Sequence, residues 1–167
     1  MTAANREIQR GLRRVLFQYD ELTEKLLKKP YWVVDILPEQ VPGDAGGQYF
    51  AVERYFLQRE QIVALRLKFA RILLKLNCYC DMAVSFDAGE NWEKNPEPAG
   101  FAQRVACLSG GAFLRVVFES QETMIDLDTG DTWMTVFGPN PAMLDRVRKL
   151  AGSEGLFVWC PPESIAL

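Results

Sequence analysis

The chain of 167 residues has the length of one ordinary domain, and its 49% hydrophobic and 25% charged residues are typical of a globular protein. It carries 19 basic and 22 acidic side chains, a net charge of −3, and no histidine. The lack of histidine excludes Ser-His-Asp and Cys-His catalysis, HExxH zinc sites and histidine pH switches.

The first half of the chain contains both helical and extended patterns. Apolar side chains recur with helical spacing over residues 5–29 and predict an amphipathic N-terminal helix that packs on the domain. Residues 31–37 are β-branched and aromatic and predict a strand, and the aromatic-rich residues 48–57 predict a second strand that pairs with it. Helical spacing returns over residues 60–77, where we expect the most buried helix.

The second half contains mostly short strand patterns. Residues 79–86 predict a strand and residues 98–108 a short helix. Strand patterns with very short connections then predict an antiparallel meander at residues 112–118, 122–127 and 131–137. Asn140, followed by proline, marks the start of a last helix, and residues 156–160 predict a final strand. We therefore predict a single α+β domain over residues 1–167, with a mainly antiparallel sheet covered by about four helices.

One local motif lies in the acidic middle of the chain. The stretch Ser85-Phe-Asp87-Ala-Gly89-Glu-Asn-Trp92 resembles the Asp-box, Ser/Thr-x-Asp-x-Gly-x-x-Trp/Phe, best known from the propeller blades of sialidases. Residues 126–133 repeat this spacing in a degenerate form, with aspartate where Ser or Thr is expected. The resemblance implies a β-hairpin turn with a structural role, and a chain of this length cannot supply the blades of a propeller.

Charge is distributed unevenly along the sequence. Residues 1–30 carry seven basic and four acidic side chains, residues 59–75 carry five and one, and residues 81–133 carry three and ten. Each of two predicted helices has a basic stripe, namely Arg6, Arg10 and Arg13 on the first and Lys68, Arg71 and Lys75 on the second. Such stripes are candidate nucleic-acid surfaces. The acidic pI of about 5.1 argues against nucleic acid and favours solvated helix faces.

Carboxylates are the main candidates for a functional site. Asp35 and Glu53 lie inside the first two predicted strands among large apolar side chains, and they are the catalytic candidates for a carboxylate-dependent hydrolase acting on a carbohydrate. The alternative is that they face solvent, or that Asp35 pairs with Arg54. Five carboxylates on predicted turns are candidates for binding a basic partner: Asp87, Glu90, Asp126, Asp128 and Asp131.

The four cysteines do not have the spacing of a metal site. Cys78 and Cys80 form a CxC pair, and Cys107 and Cys160 lie far from it in the sequence. We expect reduced, buried thiols and neither a metal nor a cofactor. The sequence has no secretory signal pattern and no apolar run long enough to cross a membrane, so we expect a cytoplasmic protein.

These observations favour a small non-catalytic binding or interaction protein, of the inhibitor or immunity type, whose acidic turns face a basic protein partner. A carboxylate-dependent hydrolase and a weak nucleic-acid-binding protein stay open as alternatives. Four aromatic residues of the second predicted strand belong either to the core or to a homodimer patch: Tyr49, Phe50, Tyr55 and Phe56.

Overall fold

The structure, a computed structural model, describes residues 19–166, which build one seven-stranded sheet and its flanking helices. The helices are α1 (residues 19–26), α2 (Tyr49–Phe56), α3 (Arg59–Asn77), α4 (Pro98–Ala106) and α5 (Pro141–Ser153). The strands are β1 (Tyr31–Asp35), β2 (Ala83–Ser85), β3 (Glu93–Lys94), β4 (Phe113–Phe118), β5 (Thr123–Asp128), β6 (Met134–Phe137) and β7 (Phe157–Trp159).

The strand order is β3-β2-β4-β5-β6-β1-β7, and every neighbouring pair is antiparallel. The predicted α+β class is therefore confirmed. The meander predicted from short connections is also confirmed, since β4, β5 and β6 are consecutive neighbours in the sheet. The predicted helix start is correct, because the side chain of Asn140 accepts a hydrogen bond from Met143 N at 2.9 Å.

The two faces of the sheet have different coverings. The first carries Val34, Val116 and Val136 and packs against α3, α4 and α5 in the main core. The second, which we call the cleft face, carries the alternate residues of the same strands, among them Val33 and Val117. The helix α1 covers the part of the cleft face over β2, β4 and β5. The part over β1, β6 and β7 is left to a loop.

The helix α3 is the most buried helix of the described chain, as predicted, with eight buried residues. Its basic stripe is largely paired within the molecule. Arg71 and Lys75 both contact the carboxylate of Glu154 at the end of α5, at 2.8 and 2.9 Å. Two of the stripe's three charges are therefore held by an internal partner rather than facing solvent alone. The other predicted stripe, with residues 5–18 of the N-terminal helix, lies outside the described residues.

The prediction of a strand over residues 48–57 is wrong, because these residues form α2. Their half-buried positions are Tyr49, Glu53, Phe56 and Leu57, which repeat at the spacing of a helix. Aromatic residues favour strands only weakly, and packing on neighbouring elements decides between the two states. The aromatic side chains do not enter the core either, since Phe50 is 72% and Tyr55 48% exposed.

The expectation of buried thiols is wrong at two positions. Cys78 and Cys107 are exposed, because each directly follows the last residue of a helix, α3 and α4 respectively. Cys80 and Cys160 are half-buried, and all four cysteines are free. Within residues 19–166, no helix has both the length and the apolar character needed to cross a bilayer.

Candidate functional site

A cleft of about 680 Å³ lies on the cleft face above β1, β6 and β7. Its floor consists of alternate residues of these strands, with Val33 standing in register between Thr135 and Trp159. Residues 37–50 form its wall, as the loop after β1 and the start of α2. Six aromatic residues line it: Tyr31, Tyr49, Phe50, Trp133, Phe137 and Trp159.

The wall loop leaves the sheet for local reasons. Pro38 and Pro42 have no N–H to donate to a neighbouring strand, so the extended pattern of β1 cannot continue through them. The side chain of Asp35 also accepts a hydrogen bond from the main-chain N–H of Leu37 at 3.3 Å, which turns the chain away from the sheet at the end of β1. The loop then returns over the cleft face and leads into α2.

Asp35 is the buried carboxylate of the cleft and is only 7% exposed. Burial raises its pKa, and hydrogen bonds from the main-chain N–H groups of Leu37 and Ile36 offset this only in part. Within residues 19–166 it forms no salt bridge. The predicted alternative pair with Arg54 is absent, since Arg54 Nε donates to the carbonyl of Phe50 at 3.2 Å. Asp35 is thus a desolvated carboxylate that pairs with no lysine or arginine of residues 19–166.

The indole of Trp159 places a second polar group on the floor. Its Nε1 is buried and has no hydrogen-bond partner among the described residues. This N–H is near enough to Asp35 to lower the pKa of that carboxyl slightly, but the two groups lack the alignment of a hydrogen bond. A buried donor without an acceptor costs about 1–3 kcal/mol. The floor therefore contains one buried donor that lies near the carboxyl of Asp35.

More carboxylates surround Tyr49 at the start of α2. Its hydroxyl donates to Glu53 at 3.2 Å, and its pKa is raised by burial and then by the charges of Glu53, Asp35 and Asp131. The pKa of Asp131 rises from 3.8 to about 6, first through burial and then through the charges of Asp128 and Glu53. The structure thus brings the two catalytic candidates, Asp35 and Glu53, into the surroundings of one tyrosine, although Glu53 lies on a helix and not on a neighbouring strand.

The rim of the cleft is also acidic. Glu39 on the wall loop and Glu163 after β7 both line it and are exposed. Burial, and then the charge of Glu163, raise the pKa of Tyr31 on the floor. Of the described residues that line the cleft, none is a lysine or an arginine.

The predicted acidic turns have different roles in the structure. Asp126 is not on a turn surface, because it faces Arg115 across β4 and β5 in a bidentate pair of 2.9 and 2.7 Å. Burial raises the pKa of Asp126 more than Arg115 lowers it. Asp128 ends β5 and accepts a hydrogen bond from Gly130 N at 2.8 Å. These two carboxylates are therefore occupied in the fold, whereas Asp131 has no side-chain hydrogen bond among the described residues.

The turn between β2 and β3 contains Asp87 and Glu90. Asp87 accepts hydrogen bonds from the hydroxyl of Ser85 at 2.7 Å and from the main chain of Asn91 at 2.9 Å. Burial acts to raise the pKa of Asp87, but these hydrogen bonds outweigh it and lower the pKa. Gly89 has a φ of 105°, which a side chain would strain, and Glu90 is exposed. The resemblance to the Asp-box stays a prediction.

The sheet register brings several of these acids to one end of the molecule. Phe113 lies between Asp87 and Asp128, and β1 ends at Asp35 on the same side, because it pairs with the start of β6 at Met134. The acids at this end do not form a metal site. Within the described residues, no group of three or more His, Cys, Asp or Glu could hold a metal ion.

Comparisons of the chain with models of known families, with curated proteins and with solved structures give no match. The chemistry of the cleft is therefore the feature of the molecule that bears on its function.

The sequence indicated Asp35 as a site residue but did not connect it with the other residues of the cleft. Trp159, Thr135 and Tyr31 come from strands that are far apart in the chain, and none belongs to a motif. One signal was present. Asp35 follows Val33 in alternation along β1, which places it on the same face as an apolar floor residue.

Proposed function

We propose that the protein is a small non-catalytic binding protein, and that its cleft binds a positively charged group of the partner. One observation carries this proposal. Three carboxylates and six aromatic rings line the cleft, with no lysine or arginine among its described lining residues. A cation pairs with carboxylates and is attracted to the faces of aromatic rings, so it supplies the charge that these side chains lack.

The buried position of Asp35 makes a cation the fitting ligand. A desolvated carboxylate without a cation beside it destabilises the folded protein, and a bound cation relieves that cost. Contact of the cation with aromatic faces adds about 0.5–2 kcal/mol. A guanidinium suits the cleft better than an ammonium, because its planar fork of donors matches a carboxylate with two hydrogen bonds and its face stacks on aromatic rings.

An inhibitor or immunity-type protein is the specific form of this proposal. The carboxylates at one end of the sheet, such as Asp87, Asp128 and Asp35, would steer a basic protein toward the cleft. Four free cysteines support a cytoplasmic location, which is part of the same proposal.

One observation favours a second candidate, a carboxylate-dependent hydrolase. The raised pKa of Asp35 suits a general acid, and aromatic linings suit a carbohydrate. The second carboxylate is the weak point, since Glu53 is held by Tyr49 and does not line the cleft. Release of nitrophenol from aryl glycosides, lost in Asp35→Asn and retained in Asp145→Asn, would favour the hydrolase over the binding protein.

The binding proposal is tested by titration with acetyl-arginine amide, followed through the indole N–H signals in ¹⁵N–¹H spectra. We expect saturable shifts of the Trp159 and Trp133 signals, with a Kd of about 1 mM for so small a probe. Asp35→Asn should weaken binding about tenfold or more. Asp145→Asn, an exposed carboxylate paired with Lys149, is the matched control and should leave binding unchanged. Absence of saturable shifts in the wild type would refute the proposal.

A further inference from the structure

Among residues 19–166, β7 is the last strand of the sheet, and one of its edges is unpaired. The carbonyl of Pro30 accepts a hydrogen bond from Gly138 N at 3.0 Å, on the side of β6. Successive residues of a strand direct their N–H and C=O groups to opposite sides, so those of Tyr31 and Val33 point away from β6 and toward β7. Val33 therefore bonds its register partner on β7, and the next residue, Val158, points its N–H and C=O to the free edge. In the described part of the chain, no further hydrogen bond reaches those two groups.

This edge adjoins the cleft. Trp159 lies on β7 next to Val158, lines the cleft, and also lines a second groove of about 450 Å³ between residues 39–43 and the end of the strand. The two cavities thus share the wall loop and one indole. At the other end of β7, Phe157 is 47% exposed.

We propose that the cation of the partner is the side chain of an extended polypeptide segment that pairs with the free edge of β7. This inference rests on the proposed function, because it assigns the ligand of the same cleft. The segment adds an eighth strand, antiparallel like every other pair in the sheet, and exchanges two main-chain hydrogen bonds with Val158. The residue of the segment that bonds Val158 has its side chain on the other face of the sheet. The residue before or after it in the segment therefore has its side chain on the cleft face, beside Trp159.

The polar groups of the cleft favour a polypeptide over a free cation. A guanidinium or ammonium has donors only, so it cannot accept from the N–H of Val158 at the free edge of β7. A peptide carries an acceptor, its carbonyl, and a main-chain donor within a few bonds of a basic side chain. Asp35 and the rim carboxylates Glu39 and Glu163 complement the positive charge of such a segment, and the edge of β7 complements its main chain.

The pentapeptide acetyl-Thr-Val-Arg-Val-Thr-amide and two methylated forms of it test the pairing. One form is N-methylated on both residues that flank the arginine, and the other is N-methylated on the arginine itself. An antiparallel strand with its arginine on the cleft face bonds Val158 through a flanking residue. We expect the unmodified peptide to bind about tenfold tighter than acetyl-arginine amide. Methylation of the flanking residues should remove that gain, and methylation of the arginine nitrogen should leave most of it.

A matched pair of protein variants tests the position. Phe157→Lys adds a positive charge beside the edge, at a residue that is 47% exposed. Leu27→Lys adds the same charge in the N-terminal helical region, at a residue that is 45% exposed. The first should weaken the peptide about tenfold, and the second should not. Equal binding of the two methylated peptides, or a peptide no tighter than acetyl-arginine amide, would overturn the inference and leave the cation site intact. Failure of acetyl-arginine amide itself to bind would overturn the proposed function as well.

Discussion

Asp131 gives the sharpest test of the electrostatics at the acidic end of the sheet. It is half-buried, it faces Asp128 and Glu53, and its pKa is raised from 3.8 to about 6, with burial as the largest cause. The folded protein therefore binds a proton at this site more readily than the unfolded chain does. Between about pH 4 and pH 6, the free energy of unfolding should fall as the pH rises, because Asp131 ionises at a cost that the unfolded chain does not bear.

The size of this cost follows from the raised pKa. Each tenfold change in proton affinity is about 1.4 kcal/mol, so a pKa raised from 3.8 to about 6 sets an upper bound of about 3 kcal/mol. Solvent reaches the half-buried carboxylate and reduces the effect to about 1–2 kcal/mol. Asp131→Asn keeps the shape and removes the charge, so it should raise the free energy of unfolding by that amount at about pH 7.5. At about pH 3.5 the difference should shrink to about 0.2 kcal/mol, because Asp131 is then protonated in the folded state and mostly protonated in the unfolded chain.

Urea denaturation followed by tryptophan fluorescence measures this difference at both pH values. Asp145→Asn is the control, since Asp145 is exposed and pairs with Lys149 one helical turn away, and it should change stability by about 0.5 kcal/mol or less. A variant Asp131→Asn that is no more stable than the wild type near neutral pH would refute the reasoning. So would a stabilisation that persists unchanged in acid.

Three further substitutions test the fold by the same denaturation assay. Asn140→Ala should cost about 1 kcal/mol, because it removes the hydrogen bond that starts α5, and Asn140→Ser should restore most of it. Arg115→Leu should cost about 3–5 kcal/mol by leaving Asp126 buried and unpaired, and the double variant with Asp126→Leu should recover most of the loss. Glu154→Gln should cost about 1 kcal/mol at neutral pH; since two cations lower the pKa of Glu154, its contribution is present above pH 4.5 and is lost as the pH falls further. A double variant less stable than Arg115→Leu, or a Glu154→Gln effect insensitive to acid, would contradict these assignments.

The elements that the sequence predicted correctly are those with a strong local signal. The helix α3 has an uninterrupted apolar stripe, β4 to β6 are strand patterns with very short connections, and Asn140 before a proline marks the start of α5. The segment that forms α2 failed because its aromatic residues have a weak strand preference and only eight residues to show a period. The helix α2 contacts α3 without burying any residue fully, and no local pattern reports that contact.

The candidate site was less predictable than the fold. Asp35 was identified from its position among apolar residues, but the floor combines β1 with β6 and β7, and that adjacency follows from strand order rather than from any local pattern. The assignment of Asp126 to an acidic turn failed because its partner Arg115 lies on a neighbouring strand. Each miss concerns a contact between residues that are distant in the sequence.

The most direct measurement is the pKa of the Asp35 carboxyl, followed by ¹³C NMR with and without acetyl-arginine amide. Assignment comes from the loss of its signal in Asp35→Asn. The pKa of this buried carboxyl is raised in the free protein, and a bound guanidinium should lower it, while the uncharged isostere acetyl-citrulline amide should not. An Asp35 pKa that stays the same under saturating acetyl-arginine amide, or that falls equally with the citrulline analogue, would contradict the account of the cleft as a site for a cation.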